Sequence, residues 1–147
     1  MKKKMNNGGF SLVELIIVIA IMAVLVGVLA PQFLKYVERA RNSTDITNAQ
    51  EITNAVIAYA TDPNNTPEDG TITVNTELKC SPEGGFVENA LKDAGIKGST
   101  VCKSKTAWSE YTIHVTVSSN GIVDFEYGAS GGVENGTPEQ NFKDAMK

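Results

Sequence analysis

The chain of 147 residues has little of what most reaction chemistry depends on: one histidine (His114), two cysteines (Cys80 and Cys102) and one tryptophan (Trp108). Two cysteines alone are too few for a structural zinc site. No nucleophile elbow, zinc-protease pair, Cys-x-x-Cys, phosphate-binding loop or dinucleotide fingerprint occurs. Nothing ties Cys80 to a neighbouring base, and His114 falls on the Thr-bearing side of a strand, which reads as structural or solvent-facing. The sequence therefore predicts no enzyme, no catalytic residue, no metal and no cofactor. Asp62, Asn64 and Thr66 have the spacing of a calcium loop, but Pro67 and Thr73 stand where its glycine and closing glutamate belong.

Basic charge is also scarce beyond the first residues. Lys2, Lys3 and Lys4 open the chain without an acid among the first nine residues, whereas residues 61–147 carry seven basic and thirteen acidic side chains. A body this acidic repels phosphate backbones, so nucleic-acid binding is not expected. Lys103 and Lys105 make too small a patch to change that and read as a solvated loop. Asn42, Asn64 and Asn135 stand in Asn-x-Ser/Thr triplets, which arise often by chance.

The most informative absence is of charge. From Leu15 to Leu34 no residue is charged and most are large and aliphatic. A run of about twenty such residues is long enough to cross a bilayer. Small residues suited to cleavage precede it, at Gly8-Gly9, while Ala30-Pro31-Gln32-Phe33 is a poor processing site, so the segment is expected to stay on the chain. The lysines before it place the N-terminus in the cytoplasm and the body outside. An extracytoplasmic body permits a disulfide, and a Cys80–Cys102 bridge contributing about 3 kcal/mol is expected, with a pair of free buried thiols as the alternative. Glu14 stands at the mouth of the run, where a carboxylate is costly; an Asp at a membrane-helix centre costs about 2.5–3.5 kcal/mol.

Gly27 and Pro31 should loosen or kink the helix locally. Beyond Pro31 the pattern stays helical but becomes amphipathic, with Leu34, Val37, Ala40, Thr44, Ile46, Ala49, Ile52, Val56 and Tyr59 on an expected inward stripe. No Gly or Pro falls between Gln32 and Thr61, so one helix from about Ser11 to Ala60, roughly 75 Å long, is predicted. The segment 71–79 alternates as a strand. Residues 84–95 read as a short helix with Phe86, Val87, Leu91 and Ala94 inward, ended by Gly95. Residues 110–128 read as a hairpin turning at Asn120-Gly121, with Tyr111, Ile113, Val115 and Val117 on one face and Ile122, Val123, Phe125 and Tyr127 in the return strand. Thr137, Pro138 and Gln140 start a last helix with a capping box. The fold class is α+β: a long N-terminal helix whose amphipathic half packs on a small antiparallel sheet. The expected divisions are 1–9, a leader; 10–34, the apolar helix; 35–60, its amphipathic half; and 61–147, the rest of the head.

The stretch from Gly8 to Glu14, Gly-Gly-Phe-Ser-Leu-Val-Glu, followed by an uncharged aliphatic run, resembles the N-terminus of type IV pilins and related pseudopilins. Pro31 falls where many of these proteins have a helix-loosening proline. The likeness covers Gly9 to about Leu34, around a sixth of the chain. It implies that a prepilin peptidase cuts between Gly9 and Phe10 and N-methylates Phe10. It implies a single-pass precursor in the plasma (inner) membrane that is polymerised by an assembly ATPase and platform into a homo-oligomeric helical filament on the cell surface, serving adhesion or motility. Glu14 would pair with a subunit N-terminal amine, its own or a neighbour's, and Gly27 and Pro31 would serve the packing of the helices. Pilins of this kind have the α+β fold described above. Two features depart from the family. Trp108 lacks the flanking Pro and Gly of the calcium segment usual in major pseudopilins, and 45 residues follow Cys102. A pseudopilin or minor pilin of type II secretion or DNA uptake is the alternative, and a membrane-anchored binding domain that never polymerises is a third. Phe33, Tyr36 and Tyr59 read as helix packing in preference to a charge-conducting stripe.

Overall fold

In the computed structural model, residues 9–96, 98, 100–132 and 137–147 are described. The leader lysines, Gly8 and Asn135 lie outside them. The chain divides into two compact units, Met1–Val37 and Glu38–Lys147. Helix α1 spans Leu12–Ala60 and continues through Gly27 and Pro31. Up to Leu34 it is apolar and exposed all round.

In the second unit, α1 is followed by β1 (Gly70–Val74), β2 (Leu78–Ser81), α2 (Phe86–Asp93), β3 (Glu110–Val117), β4 (Val123–Ser130) and α3 (Pro138–Met146). The strands form one antiparallel sheet in the order β2-β1-β3-β4. Ile72 stands opposite Cys80 on one side and Ile113 on the other, so the middle strands put their branched residues into one buried layer. The fold is α+β, as expected. Tyr111, Ile113 and Val115 are buried, whereas His114 and Thr116 are exposed, which matches the period-2 reading of β3.

Several details differ from expectation. The hairpin loop covers residues 118–122, because Val117 pairs with Val123. Gly121 takes a positive φ of 79° and its N–H donates to the Ser118 carbonyl at 2.8 Å, leaving Ile122 exposed in the loop. Ala94 is the exposed C-cap of α2, and Ala90 takes its inward place. At the start of α3 the Thr137 hydroxyl accepts from Gln140 N–H, but the Gln140 side chain donates forward to Asp144, so the capping box is half formed. Helix α3 packs on the sheet through Phe142, which is fully buried. Its ring stacks on Tyr111 and meets Trp108 edge-on, with centroids 5.0 Å apart in both pairs.

The largest difference lies on the inward face of α1. Ala49, Ile52 and Val56 are buried as predicted, but Leu34, Ala40 and Thr44 are exposed. In their place two carboxylates are buried, Glu38 (8% exposed) and Asp45 (0%). They are seven residues apart, two turns of helix, and so share a face. Residues 100–109 are neither helix nor strand, and their backbone donors need partners. Asp45 supplies them: Oδ1 accepts from Lys103 N–H at 2.7 Å, and Oδ2 from Ser104 N–H at 2.8 Å, Trp108 Nε1–H at 3.0 Å and the Cys102 thiol at 3.3 Å. Glu38 Oε1 accepts from the Ser104 hydroxyl at 3.0 Å, Thr106 N–H at 2.8 Å and Lys105 N–H, while Arg41 donates to Oε2 at 3.3 Å. Burial acts to raise the Glu38 pKa, but the donors from Lys105, Thr106, Ser104 and Arg41 outweigh it and hold the group at about 2. Lys103 and Lys105 thus belong to a segment tied down through its backbone rather than to a merely solvated loop.

Candidate processing and assembly site

Helix α1 begins at Leu12, which leaves Gly9, Phe10 and Ser11 outside it. A peptide bond must be extended to enter a protease cleft, so a Gly9–Phe10 bond outside the helix suits cleavage. Phe10 is 88% exposed. A Cβ built on Gly9 meets nothing within 4 Å. The fold itself therefore makes no demand for glycine at this position.

Glu14 is the third residue of the helix. Its Oε2 accepts from the Ser11 backbone N–H at 2.7 Å. The first N–H groups of a helix have no partner within it, and a carboxylate in the first turn also faces the positive end of the helix dipole. Both effects offset part of the cost of a charge beside an apolar run. The Ser11-x-x-Glu14 spacing is the sequence signature of a capping box. The expectation of an N-terminal amine, its own or a neighbour's, as the partner of Glu14 leaves out this cap, although its signal stands in the sequence.

Every residue from Leu15 to Leu34 is exposed, and α1 is long and apolar enough to cross a membrane. A Cβ on Gly27 would meet no side chain within 4 Å, so space along the helix is open there.

The expected Cys80–Cys102 bridge is not formed in this structure; both cysteines are free thiols. Cys102 is held instead by its bond to Asp45, and burial together with that carboxylate pushes its pKa up to about 12. Cys80 lies half-buried in β2, and burial with the charge of Glu88, opposed by Lys92, raises it to about 11. His114 is exposed, with Nδ1 3.0 Å from the Thr71 hydroxyl. Asn64 lies in a turn closed by Asp62, whereas the Asn42 Oδ1 is buried. Of the three aromatic residues on α1, Phe33 and Tyr36 are exposed, and Tyr59 packs against Phe86 at 5.4 Å.

Residues 4–30 match the family model of the prokaryotic N-terminal methylation motif. The chain therefore carries a type IV prepilin-like signal, and the match contains Gly9, Phe10, Glu14 and Gly27. The apolar helix, which begins within the matched residues, fits a membrane-anchored precursor. No curated protein and no solved structure matches the chain.

Proposed function

We propose that the protein is a structural subunit of a type IV pilus. The observation that carries the reading is the methylation motif at the start of an exposed, uncovered apolar helix whose first turn is capped by Glu14. A prepilin peptidase cuts after Gly9 and methylates the Phe10 amine. The subunit waits in the plasma membrane, held by residues 10–34, until an assembly ATPase and platform transfer it to a filament. There the apolar helices of neighbouring copies cover one another, taking the place of the lipid that surrounded each helix before extraction. Gly27 and Pro31 give the helix local freedom during that transfer. The filament is displayed outside the cell for adhesion or motility, and the head is non-enzymatic.

Glu14 has two oxygens, which gives it two roles. Oε2 keeps the Ser11 N–H of its own helix, and Oε1 is left to receive the Phe10 amine of its own or a neighbouring copy. A charge pair in low dielectric offsets the desolvation of both partners only when further hydrogen bonds support it, and the cap is such a bond. Mass spectrometry of the membrane form tests the reading: a chain starting at N-methylated Phe10 is expected. A chain retaining Met1 refutes it. Abundance in material sheared from cells separates a major pilin from a pseudopilin or minor pilin.

A further inference from the structure

Within the head, α1 and α3 present matching faces of small residues. Ser43 and Thr47 stand one turn apart on α1, and Asn141 and Ala145 one turn apart on α3. With Ala107 and Trp108 they line a groove of about 560 Å³ that has no charged residue in its lining. Residues 61–147 carry thirteen acids against seven bases, so an uncharged groove is where a second acidic head can approach without like-charge repulsion. Asn42 lines the groove too, and its Oδ1 is buried with no hydrogen-bond partner among the described residues. A donor brought into the groove would relieve that cost.

The second surface is the loop between β3 and β4. Ile122 is 55% exposed, and among the described residues of Glu38–Lys147 the other exposed large apolar side chain is Ile57 on α1. The loop is held by its own bonds. The Ser118 N–H and hydroxyl both donate to the Ile122 carbonyl at 2.9 Å, and Gly121 N–H donates to the Ser118 carbonyl. It therefore presents Ile122 and the side chain of Asn120 in a set shape, with little ordering left for contact to impose. Residues 118–122 carry no charge, and the Asn120 amide makes no hydrogen bond among the described residues.

Groove and loop lie at opposite ends of the head. Trp108 donates to Asp45, between Ser43 and Thr47, while the Tyr127 hydroxyl is 3.3 Å from that of Thr53, eight residues further along α1. The hairpin continues past Tyr127 to its tip, where Val117 N–H donates to Asp69 in the segment after α1 has ended. The two surfaces cannot meet within one chain. A loop that enters the groove of a second copy leaves that copy's own loop free, and a contact between unlike surfaces propagates instead of closing on a dimer.

We propose that the Ile122 loop of one copy seats in the α1–α3 groove of the next, joining heads end to end. Ile122 meets the apolar floor, and the Asn120 amide supplies donors to the groove. This inference rests on the filament reading above and adds to it the contact that sets one head on another.

The test uses the full chain with Cys80→Ser, which removes the half-buried thiol and leaves Cys102 buried against Asp45. Ile122→Cys and Ala145→Cys are added, cells are treated with diamide, and sheared material and membranes are run without reductant. A ladder of linked chains is expected from the pair and from neither substitution alone. Asn120→Cys with Thr47→Cys, exposed positions on the same two surfaces, repeats the test. A linked dimer from Ile122→Cys alone means that loop meets loop and overturns the proposal. No ladder from either pair in either fraction also overturns it, and presence of the chain in sheared material then leaves the pilus reading standing. A ladder in membranes with none of the chain in sheared material upholds the contact and overturns the pilus reading instead.

Discussion

Glu14 and Glu38 are both carboxylates on α1, and their surroundings give them different work. Glu14 caps an exposed first turn. Glu14→Ala is expected to leave membrane insertion and leader removal intact while lowering the yield of filaments, read from sheared surface material; an unchanged yield refutes the assembly role. Glu38 is buried and holds the segment that crosses it. Glu38→Ala strands the donors of Ser104, Lys105 and Thr106 and is expected to cost about 3 kcal/mol in the unfolding free energy of the head. The folded pKa of Glu38 lies at about 2, below the ordinary carboxylate value of 4.5, so the unfolded chain binds the extra proton. Its contribution is therefore complete above about pH 4.5 and fades as pH falls toward 2. A melting series across that window should show a shallower acid limb in Glu38→Gln than in the parent.

At the scale of elements, α3 is joined to the sheet through the Phe142 ring, with Met146 against the same core and Lys143 paired to Glu126 of β4 at 3.6 Å. Phe142 touches Trp108, Tyr111 and Tyr127, and its removal opens a cavity among three aromatic side chains. Phe142→Ala is expected to cost about 3–5 kcal/mol, seen as a lowered melting temperature and faster amide exchange along α3. The start of this helix is legible in the sequence, since Thr137 and Pro138 mark it. That it docks is less plain, because Phe142, Ala145 and Met146 give a nine-residue helix barely one turn of apolar periodicity to read. Strands β3 and β4 are legible through alternation, and β3 has the inward face that its Tyr-x-Ile-x-Val pattern requires. The stretch 71–79, which alternates as one strand, is instead a hairpin, because residues 75–77 turn the chain so that β1 and β2 pair antiparallel. The hairpin loop is longer than Asn120-Gly121 alone indicates, because that pair is a two-residue signal while Val117 pairs with Val123.

At the scale of the whole molecule, the division at Val37 and Glu38 separates two kinds of stability. The head has its own core, and the apolar helix before it has none. A chain beginning at Lys35 is therefore expected to fold and remain in solution without detergent, checked by circular dichroism and gel filtration, whereas the full chain should require detergent or lipid. Aggregation of the shortened chain would mean that the head depends on the apolar segment for its fold.

The sequence by itself determined the exposed apolar helix, the processing motif and the α+β class, because each rests on local order: an uncharged run, a short motif, and periods of two and of about three and a half residues. Even the Ser11–Glu14 cap is local. Tertiary structure alone decided that Glu38 and Asp45 turn inward, that Cys102 donates to a carboxylate rather than meeting Cys80, and that residues 100–109 are held without a strand. The physical reason is common to all three. A backbone segment with no ladder of its own must find acceptors, and the acceptors that fold onto it lie about sixty residues earlier in the chain, on a helical face that polarity alone would assign to solvent.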